Sequence, residues 1–206
     1  MKKTIKIVAL ILVMAFALCA CSNGQGDQKN DAQSNSTVSN SVKNCVKFTM
    51  ENGGSFIIEL YPQYAPETVV NFKNLVASGF YDGLTFHRIV EDFVAQGGDP
   101  NGDGTGGSSK TITGEFAING FTDNTLSHTR GVVSMARSSS YDSASSQFFI
   151  CYDDVTQLDG QYAAFGKVIE GMEVVDAFLD VERRYNGGEL SSPVEPIVIE
   201  KAEVIS

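Results

Sequence analysis

Phe86-His87-Arg88-Ile89-Val90-Glu91-Asp92-Phe93-Val94-Ala95-Gln96-Gly97-Gly98-Asp99 is the most informative stretch of this 206-residue chain. Leu84–Val90 and Phe93–Gln96 read as strands, and between them Arg88 keeps company with Phe93, Val94 and Gln96. A second stretch, Ser146-Gln147-Phe148-Phe149-Ile150-Cys151, sets Gln147 beside two phenylalanines. An unpaired guanidinium is too costly to bury as ordinary core. A cation beside an apolar pocket suits a site that binds an apolar ring and polarises a group attached to it.

The flanking sequence is rich in short β patterns. Val46–Met50 and Ser55–Leu60 enclose Asn52-Gly53-Gly54, a hairpin signal. Gly131–Ala136, Gln147–Tyr152 and Ala163–Val168 add strands, and Ile197–Val204 alternates well. Pro66 and Glu67 open a helix with Val69, Phe72 and Val76 on one face, ended by Gly79. Glu173–Val181 predicts a second helix with Val174, Val175 and Phe178 facing inward. Many short strands with two helices suggest a closed antiparallel barrel.

The N-terminus has a different logic. Lys2, Lys3 and Lys6 precede the apolar run Ile7–Leu18. Twelve residues at about 1.5 Å each do not cross about 30 Å of hydrocarbon, so residues 1–20 read as a signal peptide. Leu18-Cys19-Ala20-Cys21 looks like a bacterial lipobox, with Cys21 preferred over Cys19 as the lipidated residue because Cys19 follows bulky Leu18. Residues 21–44 are then a lipidated terminus and a Ser/Asn/Gln/Gly tether, too poor in apolar groups to offset its ordering entropy. The 23 residues after Cys21 span roughly 25 Å r.m.s. as a coil. The expected location is the extracytoplasmic face of the cell membrane.

Residues 45–206 form one domain, long enough to bury about 70% of its unfolded surface without a staple. Net charge is −10, or −13 once the three signal lysines are removed, which argues against nucleic-acid partners. Cys151 ends an apolar run and reads as a small buried residue, with a Cys45–Cys151 disulfide as the less favoured alternative. The cysteines and the two histidines offer no zinc spacing, and no metal is expected.

Two motifs mislead. Asp99–Gly104 fits the first six positions of a calcium loop, but Lys110 occupies the twelfth, where a bidentate Glu is required. Gly102–Gly107 satisfies G-x-G-x-x-G, yet Ser108–Thr113 offers no helix start to receive a pyrophosphate. Both read better as one glycine-rich turn. His87 and His128 read as structural hydrogen-bonding residues, His87 helping to position Arg88.

The blocks FHRI, QGGD, GTGG, SMAR, SQFFI and LDGQYAAFGKV closely resemble the cyclophilin family of peptidyl-prolyl cis-trans isomerases over nearly all of Val46–Ser206. The resemblance implies a mainly β fold, a closed eight-stranded antiparallel barrel capped by two helices. It implies action on proline-containing polypeptides, with no cofactor, by a monomeric domain. Arg88 matches the catalytic arginine and Gln96 the residue that orients it. Phe93, Val94, Phe149 and Leu158 match the lining of the proline pocket, with Phe93 and Phe149 grouped with the catalytic pair. Ala136 and the backbone of Arg137 match the segment that pairs with substrate main chain, and Gln147 matches a polar pocket edge. Phe148 reads as core.

Departures from the family pattern are also visible. Tyr162 stands at a substrate-binding position where the best-known members carry His, and Gln157 where they carry Trp; the chain has no tryptophan. That Trp chiefly serves cyclosporin, so weak cyclosporin affinity with isomerase activity retained is expected. A peptide-binding holdase with incidental isomerase activity is the competing reading. A lipid-anchored solute-binding protein fits less well, because one domain of this size leaves no room for two lobes.

Overall fold

The computed structural model describes residues 44–205. The expected signal peptide, Cys21 and almost all of the tether lie outside them. In chain order the strands are β1 (Cys45–Met50), β2 (Ser55–Leu60), β3 (Thr85–Val90), β4 (Val94–Asp99), β5 (Val132–Met135), β6 (Phe148–Cys151), β7 (Ala164–Glu170), β8 (Arg183–Asn186), β9 (Glu189–Pro193) and β10 (Ile197–Ile205). Helix α1 is Pro66–Ala77 and α2 is Met172–Asp176. Eight strands close a barrel in the order β1-β10-β3-β4-β6-β5-β7-β2, every pairing antiparallel, while β8 and β9 form a separate hairpin.

Period-two burial drives β1 and β2. Val46, Phe48 and Met50 on one, and Phe56, Ile58 and Leu60 on the other, are buried at alternate positions. Gly53 turns the chain between them at φ +85°, where a side chain would be strained. Aromatic rings thread the enclosed core: the Phe48 and Phe56 rings stack at 5.2 Å, and Phe86 meets Phe148 edge-on at 5.7 Å.

Proline opens α1 as expected, but its N-terminal amides are satisfied from a distance. Glu115 accepts from the Glu67 amide (2.9 Å) and the Thr68 amide (2.8 Å), placing a carboxylate at the positive end of the helix. Phe72 carries the helix into the core, 4.9 Å from the Phe165 ring. The second expected helix divides: α2 tightens into a 3-10 turn at Ala177–Asp180. Val175 and Phe178 are buried there, and Val174 is partly buried.

The barrel wall is apolar on both sides along β6. Phe148 and Ile150 join the interior, whereas Phe149 and Cys151 belong to a second cluster with Val94, Val132, Val155 and Ala164. Burial pushes the Cys151 thiol up to about 12, so it behaves as a small hydrophobe. Cys45 lies on β1, which does not neighbour β6, and no disulfide joins it to Cys151.

The glycine-rich stretch is a turn wound around one buried carboxylate. Asp99 accepts from the amides of Asn101 (2.8 Å), Asp103 (3.2 Å) and Gly104 (2.6 Å).

Candidate active site

Two irregularities between β3 and β4 aim the key side chains. Phe86 pairs with Gly97 and Arg88 with Gln96, so His87 is an extra residue on β3. Residues two apart on a regular strand share a face. Here Phe86 enters the core, whereas Arg88 turns outward. One step earlier, Thr85 pairs with Asp99 and Phe86 with Gly97, so Gly98 is the extra residue on β4. Its φ is +81°, and a Cβ built there would lie 2.6 Å from the Ser146 carbonyl oxygen. The second glycine of QGGD is thereby required by both conformation and space.

Arg88, Gln96 and Phe149 stand on adjacent strands in direct register. Outside the barrel they meet Phe93, Val94, Ala136, Arg137, Leu158 and Tyr162 around a cavity of about 210 Å³. Nine of the ten residues expected from the resemblance therefore line one pocket. The tenth, Gln147, lines a neighbouring cavity of similar volume with Gly104, Thr105 and Ser143, and Gln96 borders both.

A directed chain of amides runs along that border. Gln147 Nε2 donates to the carbonyls of Gly104 (3.1 Å) and Gly106 (2.7 Å), which commits its Oε1 to accepting from Gln96 Nε2 (2.9 Å). Gln96 Oε1 is then left to accept from Arg88 Nη1 at 3.3 Å. The Arg88 guanidinium also lies 5.5 Å from the centre of the Phe93 ring.

The pocket wall is built from stacked rings. Tyr162 meets Phe149 edge-on at 5.8 Å, and His128 stacks behind Phe149 at 6.0 Å. His128 Nδ1 lies 2.8 Å from Asp159 Oδ1 and Nε2 lies 3.0 Å from Ser134 Oγ. Burial lowers its pKa more than Asp159 raises it, so the ring is neutral at pH 7. Arg137 lies 4.6 Å from the Tyr162 ring and donates twice to the Gln161 carbonyl. The Ala136 amide is engaged with the Gln147 carbonyl, whereas neither main-chain polar atom of Arg137 has a partner among the described residues.

His87 departs from expectation. Both its ring nitrogens are buried without a hydrogen-bond partner among the described residues, so no bond of the described domain ties it to Arg88. As the bulged residue it borders an adjoining cleft of about 310 Å³ with Asp103, Arg184 and Tyr185, which Arg88 and Gln96 also line. Desolvation lowers its pKa.

The residue that does hold Arg88 was not anticipated. Glu189, at the start of β9, accepts from Arg88 Nε at 2.7 Å and from Nη2 at 2.8 Å. The hairpin signal Asn186-Gly187-Gly188 matches Asn52-Gly53-Gly54 and would have revealed β8 and β9.

An apolar ring pocket edged by a fixed cation is suited to gripping a prolyl ring and acting on its amide. Comparison with known proteins agrees. Residues 45–204 match the family described as cyclophilin type peptidyl-prolyl cis-trans isomerase. The chain is 47% identical over 126 residues to peptidyl-prolyl cis-trans isomerase B of Bacillus subtilis, covering 61% of this chain and 84% of that one. It is 42% identical over 159 residues to peptidyl-prolyl cis-trans isomerase A of Dickeya dadantii, covering 75% and 81%. A Cryptosporidium parvum cyclophilin-type isomerase, crystallised in the presence of the dipeptide Ala-Pro, superposes with a TM-score of 0.67 at 32% identity, over 79% of this chain and 99% of that one. From bulge to pocket to homology, the observations converge: this chain belongs to the cyclophilin family and is a peptidyl-prolyl cis-trans isomerase.

Proposed function

We propose that this isomerase acts on exported or surface polypeptides from a lipid anchor at Cys21, and that Arg88 is its catalytic residue. Rotating an X-Pro bond crosses a barrier of about 20 kcal/mol, because amide resonance is lost at the twisted geometry. Bringing exchange to milliseconds requires roughly 5.5–7 kcal/mol of that barrier to be removed. No covalent step or proton transfer is needed. The twisted amide regains a nitrogen lone pair, and a guanidinium donates to it at any physiological pH. That bond scarcely exists in the planar ground state, so it favours the transition state selectively.

The observation that carries this reading is the placement of Arg88 at the rim of the apolar pocket, fixed by Gln96. One charge-assisted bond contributes about 1.5–3 kcal/mol, so the pocket must supply the rest. Phe93, Val94, Phe149, Leu158 and Tyr162 hold the ring. The unengaged main chain of Arg137 pairs with the substrate backbone.

Isomerisation of a proline-containing reporter peptide by the purified full chain tests the catalytic assignment. Arg88→Ala is expected to slow it at least about a hundredfold. Unchanged rates would remove Arg88 from catalysis, and slow rates for both proteins beside measurable peptide binding would indicate a holdase. The anchor is supported by the lipobox and the polar tether. Fatty-acid labelling that persists after Cys21→Ser would refute it.

A further inference from the structure

Counting the donors on Arg88 points to Glu189 as part of the working site. A guanidinium has five N–H donors in a rigid plane. Nε and one Nη2 hydrogen go to the two Glu189 oxygens, and one Nη1 hydrogen goes to Gln96. Two donors remain, one on each terminal nitrogen. The bidentate pair occupies the side edge of the plane, so the free Nη2 donor lies on its far end, with the second free donor on the neighbouring Nη1. Held by Glu189 and Gln96 together, the plane can neither spin nor swing. Arg88 is 30% exposed, and a side chain that accessible would otherwise sample many rotamers.

Glu189 is suited to this task. Hydrogen bonding from Arg88 holds its carboxyl below the usual range, so it is charged at neutral pH. Its hairpin rests on β3, with Arg183 reaching the Ile89 carbonyl at 3.5 Å. Asn186 and Glu189 pair across the turn, which puts the carboxylate at the hairpin tip. The chain returns to Arg88 after 101 residues to place one carboxylate there.

We infer that Glu189 is a positioning residue for the isomerase reaction, fixing the Arg88 guanidinium so that its two free N–H groups meet the reacting amide. This rests on Arg88 acting on the prolyl nitrogen. Orientation matters only at the twisted geometry, so Glu189 acts on kcat and leaves KM nearly unchanged.

The test is a double-mutant cycle on the full chain with the reporter peptide. Glu189→Ala is expected to lower kcat about tenfold with KM within about twofold. Glu189→Gln, which keeps one acceptor, falls between it and wild type. In the Arg88→Ala background, Glu189→Ala is expected to change nothing. Leu190→Ala, on the adjacent exposed hairpin position, leaves kcat intact and controls for hairpin stability. A faster Glu189→Ala enzyme would make the pair inhibitory and overturn the inference. Equal losses with and without Arg88 would reduce Glu189 to a structural role and also overturn it. If Arg88→Ala itself is fully active, the catalytic reading falls first.

Discussion

Phe86 and Arg88 lie two positions apart on β3 yet occupy opposite faces of the barrel wall, because His87 is bulged between them. A single irregularity lets one strand fill the core and arm the pocket. The compensating irregularity at Gly98 keeps β4 in step.

Gly98 is therefore the sensitive point of the QGGD block. Gly98→Ala forces a left-handed φ on a side chain that would meet the Ser146 carbonyl. The expected destabilisation is roughly 2–4 kcal/mol. Urea unfolding of wild type and variant checks it, and a shift under about 0.5 kcal/mol would contradict the strain argument.

The amide chain behind Arg88 has a direction, and reversing its source should be felt at the far end. Gln147→Glu replaces a donor to the Gly104 and Gly106 carbonyls with an acceptor. Isomerase kcat is expected to fall about three- to tenfold at pH 7. Acidification that protonates the new carboxyl restores a donor, so activity relative to wild type should recover toward low pH. A flat ratio across pH would break the link between Gln147 and Arg88.

Both histidines have lowered pKa values, chiefly through burial. Folding keeps them neutral at a pH where the unfolded chain protonates them, near about 6.5. Their contribution to stability is thus complete above that value and is lost as pH falls through the folded-state pKa values. Each adds at most about 1.4 kcal/mol per pH unit to the slope. His128→Gln is expected to flatten the fall between pH 6.5 and 5, measured by urea midpoints. A slope unchanged in this variant would rule out linkage through His128.

Gln157 occupies a 3-10 turn, Thr156–Leu158, whose last residue lines the proline pocket. Gln157→Trp is expected to raise cyclosporin affinity at least about tenfold. Isomerase activity should stay within about twofold of wild type. Competition titration with the drug decides it, and nanomolar inhibition of the unmodified protein would refute the expectation of weak binding.

Much of this architecture is legible locally. Alternation in Phe56–Leu60, Pro66 at a helix start and the Asn52-Gly53-Gly54 turn act within a few residues, and most expected elements fall within two positions; β4 runs three residues past the expected Gln96, and α2 ends five before the expected Val181. Phe149 is harder, because β6 is buried on both faces and loses its alternation. Its placement in the pocket came from family resemblance. The hairpin lacks an apolar rhythm because Arg183–Asn186 buries almost nothing. No local pattern joins Arg88 to Glu189 across 101 residues. The solitary state of His87 follows from the bulge, which only the pairing of β3 with β4 displays.

Closure of the barrel leaves each of its eight strands with two partners. A peptidyl-prolyl isomerase acts on polypeptide, and an extended segment of polypeptide can also pair with an open strand edge. Here the barrel presents no exposed edge on which such a segment could grow into a sheet. Open strand edges are confined, among the described sheets, to the separate β8–β9 hairpin, and the barrel offers a polypeptide its side-chain-lined groove instead.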